Sequence, residues 1–287
     1  MSNLLVTTPQ TTQTMSILSK DTIEKEILIH LSISNKGPKM EVSHLVGIIQ
    51  LIFHRLKTGT QWRELPVKQY LGEGYKWNSV FDHFNKWSKD GSWRRLWLHH
   101  LRTKKHLLDL STAQLDGTHT PCKRGGEASD YQQRKAAVTS NMLCISDNQG
   151  ILIAASQPEA GNHHDTFDFE THFEELIQML REAEIETAGL FLNADAGFDS
   201  QEVRAICQQY GIIPNFAFNP RNGSQWDREE YFDELLYRRR IVIEHAFAWL
   251  DAYKALLIRY ETTTRNWFNL NIIGFTTCLI RKTAAIL

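Results

Sequence analysis

The 287-residue chain has four cysteines, Cys122, Cys144, Cys207 and Cys278, and no two of them form a C-x-x-C pair. This spacing indicates neither a cysteine-based zinc module nor a disulfide framework. Nor is there a run of about 18 apolar residues, the length a membrane helix requires. The longest candidate, residues 270–280, is interrupted by Asn271, Gly274, Thr276 and Thr277. No charged start followed by an apolar stretch opens the sequence, so no secretory leader is read and a cytoplasmic protein is expected. Heptads are missing as well. The net charge is only −1, which taken alone argues against a polyanionic partner.

The chain is nevertheless 42% hydrophobic with eight Trp, a composition that packs a core. Its near-neutrality hides a split. Residues 36–105 carry 14 Lys and Arg against 5 Asp and Glu, a net of +9, whereas residues 106–287 carry 16 against 25, a net of −9. Residues 1–35 carry 2 against 3. A basic front joined to an acidic body suits a module that grips phosphates attached to one that binds cations. A solvated basic helical domain would read the same way.

The first 20 residues, rich in Thr, Ser and Gln, read as a flexible tail. A short helix follows over 21–33, broken at Asn35-Lys36-Gly37-Pro38. Val42, Leu45, Val46, Ile49, Ile52, Phe53 and Leu56 recur at helical spacing, and Lys57-Thr58-Gly59 ends that helix. Trp77, Val80, Phe81, Phe84 and Trp87 outline a second helix, and Trp93, Leu96, Trp97 and Leu101 a third. Three helices with turns predict a small all-α, helix-turn-helix-like domain over 36–105. Its candidate reader is the helix 77–86, exposing Asn78, His83 and Lys86, with Arg94, Arg95, Arg102, Lys104 and Lys105 for phosphates. The aromatic stripe falls on the inward face and reads as core.

Beyond residue 105 the pattern becomes mixed. Two apolar runs around Asp147-Asn148-Gln149-Gly150 predict an antiparallel hairpin. Helices are expected over 165–184 and 200–209, and strands over 189–195 and 212–218. The resulting order over 106–287 is that of an α/β, ribonuclease-H-like mixed sheet flanked by helices, its acids gathered at one sheet edge.

Three acids stand out. Asp116 and Asp195 each end a short apolar strand before a glycine turn, and Glu244 lies in a Gly- and Pro-free segment, 227–257, that predicts one long helix. On that helix Tyr237, Arg240 and Glu244 share a face, so the cation one turn earlier supports the carboxylate. Brought together, the three acids suit a pair of Mg²⁺ or Mn²⁺ ions and phosphodiester chemistry. Taken singly, an Asp-Gly is also a common turn, and a helical Glu beside Arg a surface pair.

Several blocks in order give the chain a family resemblance over about residues 36–261. They are "GPK" at 37–39, "FHRLKTGTQWRELP" at 53–66, "W-x-x-V-F-x-x-F-x-x-W-x-x-D-G-x-W-x-R-L" at 77–96 and "LDGTH" at 115–119. "GNHHD" at 161–165, "ADAGFDS" at 194–200, "Y-x-x-R-x-x-x-E" at 237–244 and "IRYE" at 258–261 complete the set. The chain resembles DDE-type insertion-sequence transposases of the insertion-sequence four/five superfamily. That resemblance implies a catalytic triad of Asp116, Asp195 and Glu244, with Tyr237 and Arg240 in the signature around the third acid. It also implies Mg²⁺ or Mn²⁺, two ions, as cofactor, terminal inverted repeats and target DNA as partners, a homodimer in the active assembly, and a bacterial-type, nucleoid-associated location. Two positions depart from the signature. Asp251 stands where a Lys is usual, and His245 where an Arg is common. A DNA-binding regulator without chemistry and a metal-dependent nuclease are the alternative readings. His163, His164 and Asp165 are ligand-type residues that read as the start of a helix, Asp165 or a neighbour capping it, and His119, three residues after Asp116, reads as lying outside the acid group rather than as a member of it.

Overall fold

The computed structural model describes residues 17–33, 40–222 and 230–286; residues 1–16 of the tail expected over 1–20, the Asn35–Pro38 break and the "GPK" block lie outside them, while at the end of that stretch Leu18 is buried and Ser19 caps a helix. Strands β1 (Ala113–Gly117), β2 (Thr120–Pro121), β3 (Asp130–Gln132), β4 (Ala137–Asn141), β5 (Leu143–Ser146), β6 (Leu152–Ala155), β7 (Glu159–Ala160), β8 (Phe191–Ala194) and β9 (Ile213–Phe216) form two sheets. The larger has the order β6-β5-β1-β8-β9, with β5 antiparallel to β1 and β6, and β8 parallel to β1 and β9. This is a ribonuclease-H-like mixed sheet. The expected hairpin joins β5 to β6: Asp147 accepts from the backbone N–H of Gln149 and Ile151 at 2.9 and 2.7 Å, and Gly150 takes φ 75° in the turn. Strands β5 and β6 are buried throughout, so they read as continuous apolar runs rather than alternating ones. The smaller sheet, β2-β4-β3 with β7 beside β4, is built from the insert between β1 and β5 and the segment after β6.

The helices are α1 (Lys20–Glu26), α2 (Val42–Thr58), α3 (Val67–Leu71), α4 (Trp77–Lys89), α5 (Ser92–Thr103), α6 (Phe169–Glu182), α7 (Gln201–Gln209), α8 (Glu234–Tyr237), α9 (Ile241–Leu250), α10 (Lys254–Leu257) and α11 (Thr264–Ile286). Helix α2 ends where Gly59, at φ 70°, donates to Arg55 O at 2.8 Å, a left-handed stop. Helix α11 lies along α5 and α4, with Phe275 5.6 Å from Trp97 between ring centres. The aromatic stripe of α4 and α5 is core: Trp87, Trp93 and Trp97 are buried.

Two resemblance blocks meet inside this structure. Arg55 of α2 pairs with Glu261 at 2.6 Å, and Trp62 Nε1 donates to the same carboxylate oxygen at 3.0 Å. Arg259, fully buried, donates to Glu261 O, Glu127 O, Ala128 O and Ser140 Oγ at 2.7–3.1 Å. The front helices are thereby joined to the small sheet through "IRYE".

Three expectations need correction. Helix α1 stops at Glu26 and gives way to a 3₁₀ turn, Leu28–His30, rather than running to 33. The helix expected over 165–184 begins at Phe169, with Asp168 as its N-cap residue and Asp165 outside it. The segment 227–257 is not one helix. Helical conformation runs from Glu234 to Leu250 through a 3₁₀ turn, Arg238–Arg240, then the chain bends at Asp251 before α10. The bend buries Tyr253, whose hydroxyl accepts from Thr277 Oγ1 of α11 at 2.9 Å. Tertiary packing overrides good helix propensity there.

Candidate active site

Strands β1 and β8 pair in parallel with Gln114 opposite Asn193, and two residues further along each strand stand Asp116 and Asp195. Adjacent strands lie about 4.8 Å apart, so the register sets these two carboxylates side by side at the sheet edge. Each is pinned by the turn that follows it. Asp116 Oδ1 accepts from Gly117 N at 2.9 Å, and Asp195 Oδ1 accepts from Gly197 N at 2.7 Å.

A buried amide ladder brings up the third acid. Asn193 donates to Gln114 Oε1 at 2.8 Å and to Leu236 O at 2.9 Å. Asn215 donates to Asn193 Oδ1 at 2.7 Å and Asp233 O at 3.0 Å, and accepts from Asp233 N at 2.7 Å. Asp233 then caps α8 by accepting from Leu236 N at 3.0 Å. The helical run that starts there carries Arg240 over β1. Its Nη1 lies 3.8 Å from Asp116 Oδ2, and its Nη2 donates to Glu244 Oε1 at 2.9 Å. Tyr237, one turn before Arg240, packs its ring 5.3 Å from Phe232.

Burial pushes the Asp116 carboxyl up to about 6, and repulsion from Asp195 and Asp165 adds to that, against the Gly117 N–H and Arg240. Asp165 was missed as a member of the group. Asn141 Nδ2 donates to it at 2.6 Å and His119 Nε2 lies 3.3 Å away. Burial opposes its charge, but the bonds from His119 and Asn141 prevail and hold this carboxyl below its usual range. The signal was Gly117: a Cβ there would stand 2.2 Å from Asp165 Oδ1, so the glycine is what lets "GNHHD" close on "LDG". His163 does not join Asp165; its ring stacks on Phe167 at 3.7 Å, and His164 is exposed.

The sequence pattern of the DDE superfamily endonucleases matches residues 115–280, and that of IS4/5-family transposases matches residues 28–97. The chain belongs to the DDE superfamily of endonucleases. Residues 28–97 mark it as the IS4/5 type. No curated protein matches it. Among solved structures, a Mos1 transposase paired-end complex with left transposon end is similar at 12% identity and a TM-score of 0.28, covering 87% of this chain and 81% of that one. A Mos1 mariner paired-end complex with Mn gives 12% identity and 0.28, covering 86% and 80%. Likeness at that level adds nothing to the fold assignment, which the strand order carries.

For a DDE-superfamily chain the fit to divalent cations matters. Asp116, Asp195 and Glu244 offer the hard oxygen donors that Mg²⁺ and Mn²⁺ favour. A cationic group already bridges two of them, since the Arg240 guanidinium spans Asp116 and Glu244. With the side chains so placed, no three His, Cys, Asp or Glu among the described residues converge as a ligand set. Glu244, its side chain 46% exposed, is turned toward Arg240 and has room to rotate. The donor chemistry of the three carboxylates fits such ions, and Glu244 is the one held by Arg240 at 2.9 Å.

The basic residues assigned to DNA are distributed unequally. Asn78 and Arg102 are exposed. Lys86 Nζ donates to Ser32 O at 3.1 Å, and His83 Nδ1 lies 2.7 Å from Ser79 O. Arg95 lies 3.8 Å from Asp90. Arg94 pairs with Glu182 of α6, Lys104 with Glu26 at 3.1 Å, and Lys105 donates to Glu184 O at 2.7 Å. Arg94 on α5, and Lys104 and Lys105 just past its end, thus join this part of the chain to α6, to α1 and to the turn after α6. No helix among the described residues is long and apolar enough to cross a membrane.

Proposed function

We propose that this chain is a metal-dependent DNA transposase that cuts mobile-element ends and joins the freed 3′-hydroxyl to target DNA. The register that sets Asp116 beside Asp195, with Arg240 spanning Asp116 and Glu244, is the observation that carries this reading. Asp116, Asp195 and Glu244 would hold two ions, Mg²⁺ or Mn²⁺, and Tyr237 and Arg240 would orient Glu244. Bound ions of this kind acidify an attacking oxygen and offset the charge on a leaving one. In the first step a water oxygen bonds to phosphorus, the P–O3′ bond breaks, and the strand leaves as a 3′-hydroxyl. In the second, that 3′-oxygen bonds to a target phosphorus and the target's own 3′-oxygen departs, so bond number is conserved. The partners are terminal inverted repeats and target DNA, held by two copies of the chain because two ends must meet. Asp251, exposed at the C-terminal end of α9, places negative charge where the signature has Lys and keeps a DNA-binding regulator as the second reading.

Alanine at Asp116, Asp195 or Glu244 is expected to leave binding of duplexes from the DNA flanking the coding region nearly intact and to abolish Mg²⁺-dependent nicking. Cleavage at the wild-type rate by any of the three would overturn the assignment. Joined strands separate a transposase from a nuclease, and binding by the wild type without nicking favours the regulator.

A further inference from the structure

The small sheet next to the acids carries a further group of exposed cations. Cys122 N donates to Val138 O at 2.8 Å, which brings Lys123 level with Ala137, and Ala137 pairs with Gln132. Arg134 and Lys135 lie in the 3₁₀ turn Gln133–Lys135 that joins β3 to β4. The register thus gathers Lys123, Arg124, Arg134 and Lys135 at one end of the sheet. All four are exposed, and none makes an ion pair among the described residues. Two acids are nearby: Asp130 accepts from Tyr131 N at 2.6 Å, and Glu127 accepts from Thr264 N and Oγ1 at 2.9 and 3.0 Å. Tyr131, 52% exposed, stands opposite Val138, 37% exposed, as a cross-strand pair open to solvent.

This surface is continuous with the candidate active site. Lys135 Nζ donates to His119 O at 3.0 Å, Gln132 Nε2 lies 3.2 Å from His119 Nδ1, and His119 faces Asp165, which packs against Gly117 beside Asp116. A DNA strand whose phosphate reached Asp116 and Asp195 would have its neighbouring phosphates within the field of these cations. Exposed cations without acidic partners are what holds a strand by its phosphates.

We infer that the β2-β4-β3 sheet, through Lys123, Arg124, Arg134 and Lys135, grips the DNA strand that leads into the acid cluster. The inference builds on the proposed function and adds a binding surface to it. The test is the full-length chain with Lys123, Arg124, Arg134 and Lys135 all changed to Ala, titrated with labelled duplex from the flanking DNA in EDTA. Expected are a loss of affinity of at least about tenfold and a plot of log K against log salt that is flatter by about 2–4, since each phosphate contact contributes about 0.9. Wild-type affinity and slope in the quadruple variant would overturn the inference, and nicking by the wild type under those circumstances would leave the transposase reading intact. If instead the wild type never nicks in Mg²⁺ while the variant still loses affinity, the surface stands and the catalytic reading falls.

Discussion

Replacing Asp116 by Asn is expected to stabilise the metal-free protein at neutral and alkaline pH. The carboxyl is carried from 3.8 to about 6 mainly by burial, so the folded state holds its proton more tightly than the unfolded chain does. Below pH 3.8 both states are protonated and the group has no net effect. As pH rises from 3.8 to 6 the unfolded chain ionises first and stability falls; above 6 the penalty is constant. At about 1.4 kcal/mol per pH unit, the full penalty is about 3 kcal/mol, and roughly half of that is present at pH 5. Asn keeps the acceptor for Gly117 N, and Arg240 keeps Glu244 as a partner, so the substitution leaves no orphaned cation. In a domain of this size 1 kcal/mol is worth about 2–4 °C, so the variant is expected to melt about 5 °C or more above wild type at pH 8 in EDTA. That gain shrinks on moving to pH 5. Saturating Mg²⁺ then raises the wild type more than the variant, because the ion binds the folded state through the carboxylate that has been removed. Differential scanning calorimetry at both pH values decides the matter. A variant that melts at or below the wild-type temperature at pH 8, or a gain undiminished at pH 5, would refute the reasoning.

The remaining predictions concern support and space. Glu261→Ala removes the carboxylate shared by Arg55 and Trp62 and leaves a buried guanidinium unpaired, so it is expected to destabilise the fold by about 3–5 kcal/mol, read from the midpoint of urea unfolding. Glu261→Gln, which keeps an acceptor for Trp62, should lose less. Gly117→Ala drives a methyl group onto the Asp165 carboxylate and is expected to depress nicking at least about tenfold while far-ultraviolet circular dichroism stays unchanged. Full activity in that variant would show that the closeness of Asp165 to β1 is incidental.

Much of this structure was legible where local pattern and burial agree. The α4 and α5 aromatic spacing, the Asp147–Gly150 hairpin and the strand–acid–glycine pattern at Asp116 each reflect a short-range rule, and each appears as read. What was not legible depends on partners far away in the chain. Nothing local in residues 227–257 announces that Tyr253 would leave the helix for Thr277, a residue 24 positions further on. Likewise nothing local announces that Arg94 and Lys104 pair with Glu182 and Glu26, or that Lys105 donates to Glu184 O. Charge in a sequence is an inventory, and only the fold tells which of it is already neutralised.

The amide ladder shows the same point from the side of function. Gln114, Asn193 and Asn215 are all fully buried polar residues on strands that would ordinarily present apolar side chains to a core. An isolated buried amide is costly, and a chain of satisfied ones is directional, since each side chain can be met only by the correct donor or acceptor. Here the chain runs across β1, β8 and β9 and ends on the backbone of Asp233 and Leu236, at the start of α8. A hydrophobic contact would let that helix slide or rotate at little cost. The ladder does not, because a shift by one residue would break its bonds to Asp233 and Leu236. It therefore sets where the helical run begins, and with α-helical spacing that determines which side of the run Arg240 and Glu244 occupy. Two acids are brought together by strand register, and a polar ruler laid across the same strands fixes the start of the helical run that carries Arg240 to Asp116 and Glu244 to Arg240.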